Sequence, residues 1–313
     1  MSAATEEPSR AKAWVLAARP QTMPAAVSPV LVGTGLALRN DVFALLPALV
    51  ALLGAVLIQI GTNFANDYYD AVQGADTADR EGFTRVTAGG LIAPSAVKRA
   101  MWLTFAAAIL VGVYLVAVGG LPILVIGLLS VAAGVAYTGG PYPLGYHGLG
   151  DVFVFLFFGV VAVTGTYYVQ AAAELGVGFL TVVPRPELVP LAAVAASLAV
   201  AALSTNILVV NNVRDREEDA TTGKRTLAVR FGYTFSRAQF VLLALLAYAV
   251  PVGFAAVTGD AAVLLPLATA PYAALVTRTV LTETSGEALN PALERAGKLL
   301  AAFSALFAVG LAV

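Results

Sequence analysis

The strongest constraint on this chain is a succession of apolar runs, each close to twenty residues long, separated by polar links. A helix needs roughly 20 mostly apolar residues to cross a hydrocarbon core of about 30 Å. Nine runs meet or approach that length: 22–38, 43–62, 101–118, 121–138, 152–170, 188–210, 239–257, 261–280 and 297–313. Hydrophobic residues make up 59% of the 313 positions and charged residues 12%, an excess that a soluble core does not need. The expectation is an all-α, multispan membrane protein with about nine transmembrane helices in the lipid bilayer.

Nine spans can be tested against the distribution of positive charge, because Lys and Arg collect in cytoplasmic links. With the N-terminus inside, 16 of the 18 Lys and Arg fall on the inner side, and only Arg39 and Arg185 fall outside. One helix more or fewer would scramble that sorting. The first residues are polar, carry both signs and lack the apolar core of a cleaved signal, so the N-terminus is expected to be retained. The net charge of −1 suggests no nucleic-acid partner. Cysteine is absent, which excludes disulfides, a thiolate nucleophile and Cys-ligated metal.

The inner links are long and polar: 63–100, 139–151, 211–238 and 281–296. Two of them open on the same pattern. Asn66 stands four residues before Asp70 and Asn211 four before Asp215, and both pairs are offset by 145 positions. Residues four apart share one helix face, so each pair aims two oxygens the same way, and Asp219 extends the second row. Pairing helices 1–4 with 5–8 puts the motifs in equivalent places, which suggests a parallel repeat. Gln59 and Asn63 stand two and one turns before Asn66. They either line a cavity or bond between helices.

Clustered carboxylates and amide oxygens are hard ligands, which favours Mg²⁺, an ion that commonly shares its shell with substrate phosphates. Cations flank both clusters: Arg80 and Arg85 after the first, Arg214, Lys224 and Arg225 around the second. A bare metal site would not need them. An anion with several oxygens would, because Arg grips phosphate with two parallel bonds and Lys adds a point charge. Ionisable residues that abut apolar spans are costly and default to function, which applies to Asp67, Asp70, Asp215 and Asp219. Glu217 and Glu218 read as a solvated face.

These residues resemble the signatures of the UbiA superfamily of intramembrane prenyltransferases. Asn66-Asp67-Tyr68-Tyr69-Asp70 is similar to the first signature, Asn-Asp-x-x-Asp, and Asp215 with Asp219 to the second, Asp-x-x-x-Asp. The finer motifs look like the branch that prenylates 1,4-dihydroxy-2-naphthoate in menaquinone synthesis. They are Arg19-Pro20-Gln21-Thr22, Tyr137-Thr138-Gly139-Gly140-Pro141, Leu144-Gly145-Tyr146, Gly148-Leu149-Gly150-Asp151, and the runs Asn211–Asp215 and Gly223–Arg230. That branch commonly has Glu where Asp151 stands. The resemblance implies a helical fold around a central cavity open to the bilayer. It divides the chain into a cytoplasmic N-terminal segment, 1–21, and one transmembrane prenyltransferase domain, 22–313.

The resemblance also implies a reaction and its residues. A polyprenyl diphosphate would bind with its head group on Mg²⁺ held by Asn66, Asp67, Asp70, Asn211, Asn212, Asp215 and Asp219. Arg19, Arg80, Arg85 and Lys224 would neutralise the departing diphosphate. The naphthoate would be prenylated with loss of CO₂, giving demethylmenaquinone. Asn63, Tyr68, Tyr137, Tyr142 and Tyr146 are candidate substrate-binding residues, and Asp151 is either a helix cap or the group that orients the acceptor hydroxyl. His147, a lone loop histidine, stays outside the catalytic set. Rival readings are the same chemistry on 4-hydroxybenzoate, homogentisate or a lipid precursor, and a cation transporter with acidic pairs along its path. Against the transporter, the acids stand at one face and not at the midplane.

Overall fold

The computed structural model describes residues 9–74, 85–183 and 185–313. Among them every regular element is helical. The chain runs through α1 (Arg10–Ala18), α2 (Met23–Arg39), α3 (Leu45–Val72), α4 (Pro94–Gly119), α5 (Leu121–Ala136), α6 (Gly150–Glu174), α7 (Leu191–Arg214), the short α8 (Arg216–Thr221), α9 (Leu227–Thr258), α10 (Ala262–Thr282) and α11 (Gly286–Ala312). Among the described residues eight helical segments are long and apolar enough to span a membrane, and α5 is a shorter apolar helix. They correspond to the nine expected spans.

The helices outrun those spans at the polar face. α3 continues through Val72 and α4 starts at Pro94, so the link read as 63–100 is helical at both ends. α9 begins at Leu227, with a kink at Gly232 (φ 80°). Apolar content marks where a helix leaves hydrocarbon, not where its backbone hydrogen bonds stop. The acidic motifs therefore ride on rigid helix ends.

The segment containing α7 is the most enclosed of the spans. Its sequence explains the position. Ala193, Ala196, Ala199, Ala201 and Ala202 are fully or almost fully buried, and small side chains let neighbouring helices approach closely in lipid. α6 reaches it through Gly159, where a Cβ would lie 2.1 Å from that of Ala201. Around this contact α6 opens into a π-helical stretch, Phe155–Val161. At the opposite face Arg39 and Asp260 pair at 2.8 Å, tying the end of α2 to the α9–α10 link.

Candidate active site

The two motif helices present matching faces to one cleft of about 240 Å³. From α3 come Gln59, Thr62, Asn63, Asn66 and Asp70; from α7 come Ser204, Ile207, Leu208, Asn211 and Asn212, with Asp215 just past its end. Each of the first four residues on α3, and Asp70, has its counterpart 145 positions on in this set. The 145-residue offset of the two motifs thus also relates the cleft-lining positions of the two helices.

Asp70 sits where the walls meet. Arg85 Nη2 donates to its Oδ2 at 3.0 Å, and the Tyr146 hydroxyl donates to its Oδ1 at 2.6 Å. The Lys224 ammonium stands 3.5 Å from Asp70 Oδ1 and 3.8 Å from Asp219 Oδ1, so one cation bridges the two acidic clusters. It also lies 4.8 Å from the centre of the Tyr146 ring. The Arg225 backbone N–H donates to the Tyr146 carbonyl at 2.7 Å, and Arg230 donates to the His147 carbonyl at 3.0 Å. These bonds hold the 144–147 turn against the loop carrying Lys224.

The second wall is organised differently. Arg214, 6% exposed, grips Asp215 through Nε at 2.6 Å and Nη2 at 2.8 Å. The same guanidinium donates to Asn211 Oδ1 at 2.7 Å and to Asn290 Oδ1, on α11, at 2.8 Å. The sequence placed Arg214 among the cations flanking the second cluster, facing an anion; its guanidinium bonds instead to Asp215, Asn211 and Asn290. Nothing local in the sequence marked Asn290.

Arg19 enters the cleft from a strained turn between α1 and α2, at φ 53°. A non-glycine residue in that region costs of order 1–3 kcal/mol and needs its surroundings to hold it. A buried network does so. Asn63 donates to the Ala18 carbonyl at 2.8 Å and to Thr22 Oγ1 at 2.9 Å, Gln59 donates to Thr22 Oγ1 at 2.9 Å, and Thr22 donates to the Arg19 carbonyl at 2.9 Å. Asn63 therefore positions Arg19 and spends its amide nitrogen doing so.

Four expected site residues stand off the cleft. Asp67 accepts from the Thr87 N–H at 3.1 Å and from the Thr87 hydroxyl, and is almost completely buried. Each helical residue turns the direction by about 100°, so a residue next to Asn66 must leave the face that Asn66 shares with Asp70. Asp67 instead anchors the segment that delivers Arg85. Asp151 faces α9, accepting from Gln239 at 2.9 Å. Tyr142 is exposed and stacks on His147 at 3.6 Å. Tyr68 packs edge-on against Tyr69, with Lys98 5.4 Å from its ring centre. Arg80 lies outside the described residues. Asn66, Asp70, Arg19, Arg85, Tyr137, Tyr146, Asn211, Asn212, Asp215, Asp219 and Lys224 all line the cleft.

Below the cleft lies a larger cavity of about 410 Å³. It runs along α5 between α3, α4 and α6, and no charged side chain lines it. The two cavities share Ala25, Thr62, Tyr137, Val154 and Phe158. A polar head and an apolar tail of one molecule could thus occupy them together. Among the described residues no three acidic or histidine side chains converge on one point. The oxygens instead stand on two walls, a donor set that fits Mg²⁺ completing its shell with phosphate oxygens between them.

Fold and site define a helical membrane protein with an acidic and basic clamp over an apolar cavity. The chain belongs to the UbiA prenyltransferase family, whose model matches residues 26–307. It is 37% identical over 284 residues to a 1,4-dihydroxy-2-naphthoate octaprenyltransferase of Mycobacterium tuberculosis, covering 91% of each chain. It is 40% identical over 235 residues to the Escherichia coli protein of the same description, covering 73% of this chain and 71% of that one. A UbiA homologue from Archaeoglobus fulgidus, solved with DMAPP and Mg²⁺, superposes with a TM-score of 0.58 at 16% identity, covering 95% of this chain and 99% of that one. This last likeness is one of fold.

Proposed function

We propose that the protein transfers a polyprenyl group from a polyprenyl diphosphate to 1,4-dihydroxy-2-naphthoate with loss of CO₂, a step of menaquinone synthesis. The observation that carries this reading is the junction of the charged cleft with the apolar cavity at Thr62, Tyr137, Val154 and Phe158. A diphosphate ester of a long hydrocarbon is amphiphilic in the same sense. The descriptions of the bacterial relatives supply the acceptor.

In this reading Asn66, Asp70, Asn211, Asn212, Asp215 and Asp219 hold Mg²⁺, which when bound neutralises diphosphate oxygens as a Lewis acid. Arg19, Arg85 and Lys224 stabilise negative charge on the diphosphate as the allylic C–O bond breaks, the point where preorganised cations count most. The apolar cavity keeps water from the cationic carbon. Tyr137 and Phe158 offer it ring faces at the junction. A ring carbon of the acceptor bonds to the prenyl carbon, the carboxylate leaves as CO₂, and diphosphate departs. No oxidant takes part, so the product forms as the hydroquinone of demethylmenaquinone and becomes the quinone by losing two electrons and two protons. The polar face is read as cytoplasmic from the Lys and Arg sorting, and the membrane as the cell membrane from the bacterial relatives.

The test incubates purified protein with Mg²⁺, a prenyl diphosphate and each candidate acceptor, followed by mass spectrometry. The expected product is the decarboxylated prenyl naphthoquinone, lost on chelation and regained with Mg²⁺. Prenylated hydroxybenzoate without any naphthoquinone product overturns the acceptor assignment, and undiminished turnover in excess chelator overturns the metal.

A further inference from the structure

Two of the residues that line the cleft each carry a buried side-chain oxygen with no partner among the described residues. The oxygens are Gln59 Oε1 and Ser204 Oγ, on residues 6% and 2% exposed. Both residues line the cleft, one on each wall, and they are counterparts at the 145-residue offset. Each stands seven residues before its motif asparagine, about 10 Å deeper at 1.5 Å per residue. That depth is below the diphosphate clamp, near Thr62, where the cleft joins the apolar cavity.

The orientation of Gln59 follows from its neighbours. The Thr22 hydroxyl donates to the Arg19 carbonyl, so toward Gln59 it can only accept. Gln59 Nε2 also donates to Asn63 Oδ1 at 3.3 Å. The amide nitrogen is therefore spent, and the oxygen is the end left over. An unsatisfied buried polar atom costs about 1–3 kcal/mol, and two at equivalent positions of one cleft call for a ligand. The substrate chemistry narrows the choice. Diphosphate oxygens only accept and are repelled by an amide oxygen. A prenyl chain neither donates nor accepts. A ring hydroxyl donates.

We propose that Gln59 and Ser204 form a subsite that reads the hydroxyl groups of a dihydroxylated aromatic acceptor. The inference rests on the reading of the protein as an aromatic prenyltransferase. Ser204 and Gln59 fix which ring enters, with its carboxylate turned up toward the arginines of the clamp and its face against Tyr137 and Phe158.

Ser204→Ala provides the test, because it removes a hydroxyl that makes no protein hydrogen bond. Its melting temperature in detergent should equal or exceed that of the parent. Binding of 1,4-dihydroxy-2-naphthoate and of its two monohydroxy analogues is then measured by calorimetry, independently of turnover. The parent should bind the dihydroxy compound about 5- to 10-fold more tightly than the analogues, the worth of one hydrogen bond. Ser204→Ala should abolish that preference against one analogue and leave the KM for prenyl diphosphate unchanged. Parental ratios for all three ligands in Ser204→Ala, or a parent that binds none of them, overturn the subsite. A parent that binds but does not prenylate the naphthoate overturns the proposed reaction instead, and the binding ratios still decide the subsite.

Discussion

The two walls of the cleft carry the same motif and stabilise it in opposite ways. Asp70, at the end of α3, is held by groups brought from elsewhere in the chain: Arg85, Tyr146 and Lys224. Asp215, at the end of α7, is held by the residue beside it, Arg214, which Asn211 and Asn290 hold in turn. The first wall is assembled by tertiary structure; the second is built into one helix end and braced by α11. Two helix ends with the same Asn-x-x-x-Asp spacing thus find their counter-charges in different places.

The largest effect expected is loss of either acid. Asp70→Ala and Asp215→Ala should each lower kcat by on the order of 10²–10³ or more, the scale of removing a preorganised electrostatic group. Activity assays on protein with parental melting behaviour check this, and near-parental kcat in either variant would break the equivalence of the walls. Next is the bridge between them. Lys224→Ala should raise the KM for prenyl diphosphate about tenfold, the loss of one charge-assisted contact of roughly 1.5 kcal/mol, while the acceptor KM stays put. A raised acceptor KM with an unchanged donor KM would reverse that assignment.

Smaller still is the brace on the second wall. Asn290→Leu leaves an N–H of a buried guanidinium without its acceptor, and should cost several-fold in activity. Because it acts through Arg214 on Asp215, its effect should vanish in the Asp215→Ala background and persist beside changes at Arg85. Additive losses with Asp215→Ala would detach Asn290 from that wall. The smallest effect belongs to the opposite face. Arg39 holds the Asp260 carboxyl below its ordinary range, chiefly through their hydrogen bond. A carboxyl whose folded pKa is depressed adds stability above its unfolded pKa of about 3.9 and loses it as pH falls through the lower folded value. Asp260→Asn should therefore leave kcat and both KM values unchanged at neutral pH and remove only this acid-range dependence of melting, since solvent-accessible ion pairs contribute little.

Much of this was legible in the sequence, for identifiable reasons. The spans follow from the length of the apolar runs. Asn66 with Asp70 and Asn211 with Asp215 follow from the four-residue spacing. The charges beside the acids drew attention to Arg85 and Lys224, which stand at Asp70 and, for Lys224, also at Asp219. What the letters do not show is finer than a turn of helix. Asp67 looks equivalent to its neighbours in a string of letters, yet its rotation about the axis delivers it to Thr87. Asp151, in the first turn of α6, bonds to Gln239, and Tyr142, in the loop before it, stacks on His147. Ser204 could not be seen at all, since a serine in an apolar run ordinarily bonds back to its own helix, as Thr205 does to the Ala201 carbonyl.

The shortness of α5 has a further consequence. Its 16 residues rise only about 24 Å, against a hydrocarbon thickness near 30 Å. Next to it α3 and α4 have 28 and 26 residues. A short helix is accommodated by local thinning of the bilayer or by sinking its flanks toward the acyl region. Either response would draw the loop that follows α5, with Tyr137 and Tyr146, toward the acyl region. Hydrophobic mismatch at one helix would thus set the membrane depth of this corner of the protein.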